Sequence, residues 1–181
     1  MYGYVKVGSA VPKLRVADCV YNKEEILKLV EAAAAKQVRV LSFPELSVTG
    51  YTCADLFFQT PLLHAAEQTI QEIAEATKAL NIFLLIGAPI AVDNQMFNCA
   101  VALYRGKLLG IVPKTHIPNY SEFYEERWFA SADDLLTEEI TYAGQNVPIG
   151  ADLIFAAADF PALKIGGEIC EDLWVPIPPS S

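Results

Sequence analysis

The spacing of apolar residues changes period along this chain. Ile26, Leu29, Val30 and Ala33 recur at the three-and-four spacing of one helix face, which predicts a helix running to about Lys36. Asn22 is the expected cap, with Glu25 three residues on, able to reach back. Ile70, Ile73, Ala74 and Thr77 repeat the spacing. They predict a second helix, opened by Thr60 as cap and Pro61 at the first helical position. Elsewhere the period shortens. Residues 2–10 alternate and predict a first strand; residues 38–43 form a short β-rich run that reads as a buried one. Further strands are expected over 81–88, 96–104 and 108–112, the last two joined by the turn Arg105-Gly106-Lys107. The aromatic, acidic stretch 120–129 predicts a short helix, and 147–155 and 162–169 complete the strands. Strands alternate with helices early and follow one another as hairpins later. That order predicts an α/β (α+β) fold, a mixed sheet with helices on one face.

Composition narrows this picture. A length of 181 residues fits one domain, large enough to fold without staples. Apolar residues are 53% and charged ones 19%, pointing to a large core. The longest apolar run, 80–92, is interrupted by Asn81, Gly87 and Pro89 and reads as a buried strand, with no membrane partner expected. The first residues, Met1-Tyr2-Gly3-Tyr4, lack the basic and apolar regions of a secretory signal. The net charge of −9, with no basic cluster, argues against a nucleic-acid partner. Cys19, Cys53, Cys99 and Cys170 form no CxxC pair, and His64 and His116 lie far apart. The pattern offers no metal-ligand set and reads as reduced thiols of a cytoplasmic protein.

Three charged or nucleophilic residues stand where apolar runs end. Glu45 follows Phe43-Pro44, where a lone carboxylate is ordinarily solvated; partly desolvated, it becomes a general base. Lys114 follows Val112-Pro113, where a lone lysine ordinarily snorkels to water. In a closed pocket it would instead lower a thiol pKa and hold a developing oxyanion. Cys170 follows Gly166-Gly167-Glu168-Ile169 and precedes Glu171-Asp172-Leu173-Trp174. On composition it is a buried inert thiol. Glu168, Glu171 and Asp172 cannot all enter an apolar core, so the run is expected to open into a polar cleft. Their charge would raise the thiol pKa, and Lys114 is the cation to offset it. Glu122, Glu125 and Glu126, among Tyr120, Phe123, Tyr124, Trp128 and Phe129, read as a surface piece or a pocket wall. Asp55 reads equally as a cap.

Together these segments resemble the nitrilase (carbon–nitrogen hydrolase) superfamily. The resemblance is nearest to the branch of glutaminase domains found in glutamine-dependent NAD+ synthetases. Phe43-Pro44-Glu45-Leu46 with Thr49-Gly50-Tyr51 and Asp55-Leu56-Phe57 is similar to the base segment. Pro113-Lys114 with Pro118-Asn119-Tyr120 and Glu122-Phe123-Tyr124-Glu125 is similar to the lysine segment. Glu168-Ile169-Cys170-Glu171-Asp172-Leu173-Trp174, with Pro176 and Pro178-Pro179, is similar to the nucleophile segment. The resemblance implies an αββα sandwich and a Glu45–Lys114–Cys170 triad that cleaves the amide of glutamine through a thioester. It implies Tyr51, Tyr120 and Glu171 as substrate-binding residues and Glu125 as support for the triad. It also implies that residues 1–181 are the N-terminal portion of the glutaminase domain, with its C-terminal part and the synthetase domain absent. That synthetase domain would consume the ammonia using ATP and Mg; the present domain would need no cofactor, and the assembly would be a homo-oligomer. Two alternatives are a nitrilase-type amidase for another small amide and a non-catalytic truncated module.

Overall fold

A computed structural model describes residues 3–181, so Tyr2 of the expected first strand lies outside the described residues. Strands β1 (Val7–Ser9), β2 (Val40–Ser42), β3 (Phe83–Val92), β4 (Gln95–Tyr104) and β5 (Lys107–Pro113) form one sheet in that order. The first two pairings are parallel and the last two antiparallel. Parallel neighbours need a long crossover, and helices α1 (Cys19–Ala35) and α2 (Thr60–Thr77) supply them. The β3–β4 and β4–β5 connections are tight hairpins.

Strand alternation sorts the residues of this sheet onto two faces. Leu84, Ile86, Ala88 and Ile90 of β3, with Val101 and Leu103 of β4, join Ile26 and Val30 of α1 and Ile70 and Ile73 of α2 in one core. Each such leucine, isoleucine or valine contributes about 1.5–3 kcal/mol on burial. The opposite face is covered by the chain after residue 150. A Cβ on Gly110 would come within 2.9 Å of Leu153 and Phe155, and the Phe155 ring sits 5.4 Å from that of Phe83. Here β8 (Phe155–Ala156) and β9 (Lys164–Ile165) form a small antiparallel pair. A hairpin of β6 (Glu139–Tyr142) and β7 (Gln145–Pro148) extends the β5 edge through a parallel bridge between Ile111 and Ile149. The mixed sheet with helices on one face is as the sequence predicts. Of an αββα sandwich, the described residues hold one helix layer, the main sheet and the β8–β9 pair beyond it.

Several local expectations change. Asp18, not Asn22, caps α1, accepting a hydrogen bond from Tyr21 N at 3.0 Å. Asn22 is instead fully buried inside the helix, donating to the carbonyls of Arg15 and Val48. Thr60 is the first residue of α2 rather than its cap, and Gln59 precedes it with no side-chain cap. Pro61 falls in the first turn, where a missing N–H costs nothing. The strand expected over 147–155 breaks in two at the Gly150 turn, and that over 162–169 shortens to β9. The helix expected within 120–129 is a single 3-10 turn, Glu125–Arg127. No strand is expected at β6, although Glu139-Ile140-Thr141-Tyr142 alternates polar and apolar residues and buries Tyr142; at four residues the period is too short to stand out.

Candidate active site

The β3–β4 hairpin runs past the ends of β2 and β5 and makes a ledge. Phe43 N donates the last ladder bond, to Leu85 at 2.9 Å, and Pro44 has no N–H to continue it. The chain therefore turns over the ledge with Glu45 at its crest. Leu46 adopts φ 53°, and Val48 N returns to Gly87 O at 3.1 Å. Gly87 is required here: a Cβ would lie 2.3 Å from Leu46 N and 2.6 Å from Pro44 O. Across the ledge, Lys114 N donates to Asn98 O at 2.8 Å, and its own carbonyl accepts from Ala132 N at 2.9 Å. The lysine side chain turns inward and is 0% exposed, the reverse of snorkelling.

Lys114 Nζ donates to Glu125 Oε2 at 2.9 Å and to Glu45 Oε2 at 3.2 Å. Tyr51 donates its hydroxyl to the other Glu125 oxygen at 2.8 Å, and Asn98 Nδ2 donates to Glu45 Oε2 at 2.9 Å. Burial opposes the lysine charge, but the charge of Glu45 and the hydrogen bond donated to Glu125 outweigh it, so its pKa is raised. Burial and the Glu125 bond push the Tyr51 phenol up, keeping it a donor. One Glu45 oxygen is thus taken by Asn98 and Lys114, and the other is left for a further partner.

The thiol stands beside this carboxylate. Cys170 opens a 3-10 turn, Cys170–Leu173, with φ 51°. It follows four non-strand residues rather than a strand end, which corrects the placement predicted from the sequence. It is exposed, whereas Cys19, Cys53 and Cys99 are buried. It lies close enough to Glu45 and Lys114 for their charges to act on its sulfur. Burial and then the Glu45 charge raise the thiol pKa, Lys114 pulls against them, and the balance is about 11. The thiol is therefore neutral at pH 7 and sits beside a carboxylate that can take its proton and a cation that can face a developing negative oxygen. This arrangement suits nucleophilic attack on a carbonyl.

Tyr120 and Glu171 meet near this cluster, the hydroxyl lying 2.9 Å from both carboxylate oxygens. They line a groove of about 1220 Å³ that also takes in Thr115, His116 and Trp128 and lies beside the triad rather than over it. Asp55 is no cap: Arg127 grips both its oxygens at 2.7 Å and Trp128 Nε1 donates at 3.0 Å. Sequence reasoning brings together Glu45, Lys114, Cys170, Glu125 and Tyr51 but misses Asn98, Gly87 and Asp172 as parts of the site. A polar residue and a glycine inside apolar runs were the available signals for the first two. Asp172, expected at the cleft with its acidic neighbours, is 2% exposed, because three backbone N–H groups take the place of water.

At the edge of this sheet a carboxylate, an ammonium and a thiol thus come together. The carbon–nitrogen hydrolase family model matches residues 6–177, and the chain belongs to that family. It is 39% identical over 179 residues to the glutamine-dependent NAD(+) synthetase of Mycobacterium leprae, covering 99% of this chain and 26% of that protein. The Aquifex aeolicus synthetase is 30% identical over 161 residues, covering 89% and 24%. Among solved structures, a glutamine-dependent NAD(+) synthetase from Cytophaga hutchinsonii aligns with TM-score 0.83 and 30% identity over 92% of this chain and 28% of that one. An amidase from Nesterenkonia sp. AN1 shares the fold alone: TM-score 0.67, 17% identity, 93% and 59% covered. The chain spans about a quarter of the curated synthetases it matches (26% of the M. leprae protein).

Proposed function

We propose that residues 1–181 are the N-terminal portion of a glutaminase domain that supplies ammonia to an ATP- and Mg-dependent synthetase making NAD+ from deamido-NAD+. The convergence of Glu45, Lys114 and Cys170 on one ledge carries this reading. The synthetases at 39% and 30% identity direct it to glutamine. In the proposed reaction Glu45 takes the thiol proton as sulfur attacks the side-chain amide carbon. Lys114 and backbone N–H groups beside Cys170 face the oxyanion. The C–N bond breaks, the proton passes from Glu45 to the leaving nitrogen, and ammonia departs from a thioester. Glu45 then deprotonates a water that splits the thioester, giving glutamate and the free thiol. Glu125 and Tyr51 hold Lys114 in place, while Tyr120 and Glu171 grip the amino-acid end of glutamine.

Incubation with a diazoketone analogue of glutamine, followed by peptide mass spectrometry, tests this reading. One adduct on Cys170, competed away by glutamine and absent in Cys170→Ala, is the expected result. Labelling without competition directs the site to another small amide. No labelling at Cys170 overturns the catalytic proposal.

A further inference from the structure

Asp172 takes no part in the proposed reaction, yet it is one of the most deeply buried carboxylates among the described residues. Among the described residues no cation pairs with it. Its Oδ1 accepts the N–H of His116 at 2.7 Å and of Thr115 at 3.1 Å, and its Oδ2 accepts the N–H of Ile169 at 3.0 Å. Thr115 and His116 directly follow Lys114; Ile169 directly precedes Cys170. One side chain therefore bonds the main chain beside the cation and the main chain beside the nucleophile. The other direct side-chain link between these segments, Tyr120 to Glu171, is solvent-exposed.

The nucleophile needs such an anchor. Cys170 holds φ 51°, a conformation that L residues other than Asn and Asp seldom keep unless their surroundings impose it. The turn it opens is only four residues long, and the chain before it bonds little to the sheet. From these observations we infer that Asp172 is a positioning residue that fixes the distance of the Cys170 thiol from Lys114 and Glu45. The inference rests on the glutaminase reading for its catalytic consequence, but not for its geometry.

In the full chain, Asp172→Asn keeps the shape but turns an N–H donor toward one of the three backbone N–H groups. Because misplacement by about 1 Å can cost about 10²-fold in rate, kcat for glutamine is expected to fall about 10²-fold, with KM held within about threefold. A readout free of turnover is the pH profile of Cys170 alkylation by iodoacetamide. Glu45→Gln removes a charge that raises the thiol pKa, so it moves the midpoint of this profile to lower pH. In the Asp172→Asn background the same change is expected to move it less than half as far, since the thiol no longer rests against residue 45. An equal shift in both backgrounds overturns the inference. A coupling seen in a chain that does not hydrolyse glutamine sinks the glutaminase reading and leaves the anchor standing; turnover with equal shifts does the reverse. Should Asp172→Asn not fold, amide hydrogen exchange in the unsubstituted chain decides. Thr115, His116 and Ile169 are expected to be protected at least about tenfold, and free exchange at all three overturns the anchor.

Discussion

The two halves of the site are built differently. Glu45 and Lys114 stand on a five-stranded sheet, and Lys114, Glu125 and Asn98 are at most 1% exposed. Cys170 belongs to an arm whose strands β8 and β9 are two residues each, and whose Leu173, Trp174 and Ile177 are 60%, 74% and 76% exposed. Charge is set by the core, where low polarisability of the surroundings makes each ion pair count and fixes its geometry. The nucleophile is delivered by a thinly packed segment held by few bonds. The electrostatic half of such a site can be prepared before the reacting half is secured.

The largest blow to this contrast would fall on the core half. Lys114→Met leaves two carboxylates facing each other without their cation. Removing one partner of a buried pair costs about 3–5 kcal/mol, and urea unfolding should register that loss. Gly87→Ala comes next, because the new methyl meets backbone rather than a yielding side chain. A loss of about 3 kcal/mol is expected, while Trp174→Ala on the arm should stay within about 0.5 kcal/mol. Similar losses from both would erase the distinction between the halves. The smallest effect concerns reactivity. A raised thiol pKa means less thiolate at any given pH, and at about 11 roughly one thiol in 10⁴ is ionised at pH 7. Alkylation of the exposed Cys170 should therefore keep rising until about pH 11 and precede that of the buried cysteines. A plateau near pH 8–9, the ordinary thiol range, would contradict the influence of Glu45 on the thiol.

The helices, the five strands of the sheet and the positions of Glu45 and Lys114 at strand ends were legible, because periodicity and Pro-terminated apolar runs are local signals. Chain segments similar to a known family pointed to Cys170, Glu125 and Tyr51. The supports were not legible. Asn98 sits between Phe97 and Cys99, and nothing local says that its amide reaches a residue 53 positions away. Gly87 read as a break in an apolar run, although its missing Cβ is the space that Glu45's loop occupies. Asp172 read as one of several acids at a cleft mouth, whereas its partners lie 56 and 57 residues earlier. Cap positions failed for a related reason: Asp18 and Asn22 are both good caps, and the buried carbonyl of Val48 claimed Asn22.

By itself, the order of residues settled the alternation of helix and strand, the one-sided apolar faces and the chemical types available at strand ends, since these follow from backbone period and side-chain chemistry alone. Only the folded chain decided that Lys114 is buried between two carboxylates, that Cys170 is held in a left-handed turn, and which backbone groups Asp172 satisfies. Those outcomes depend on distances between segments far apart in sequence. Desolvation acts on them only once the sheet has brought them together.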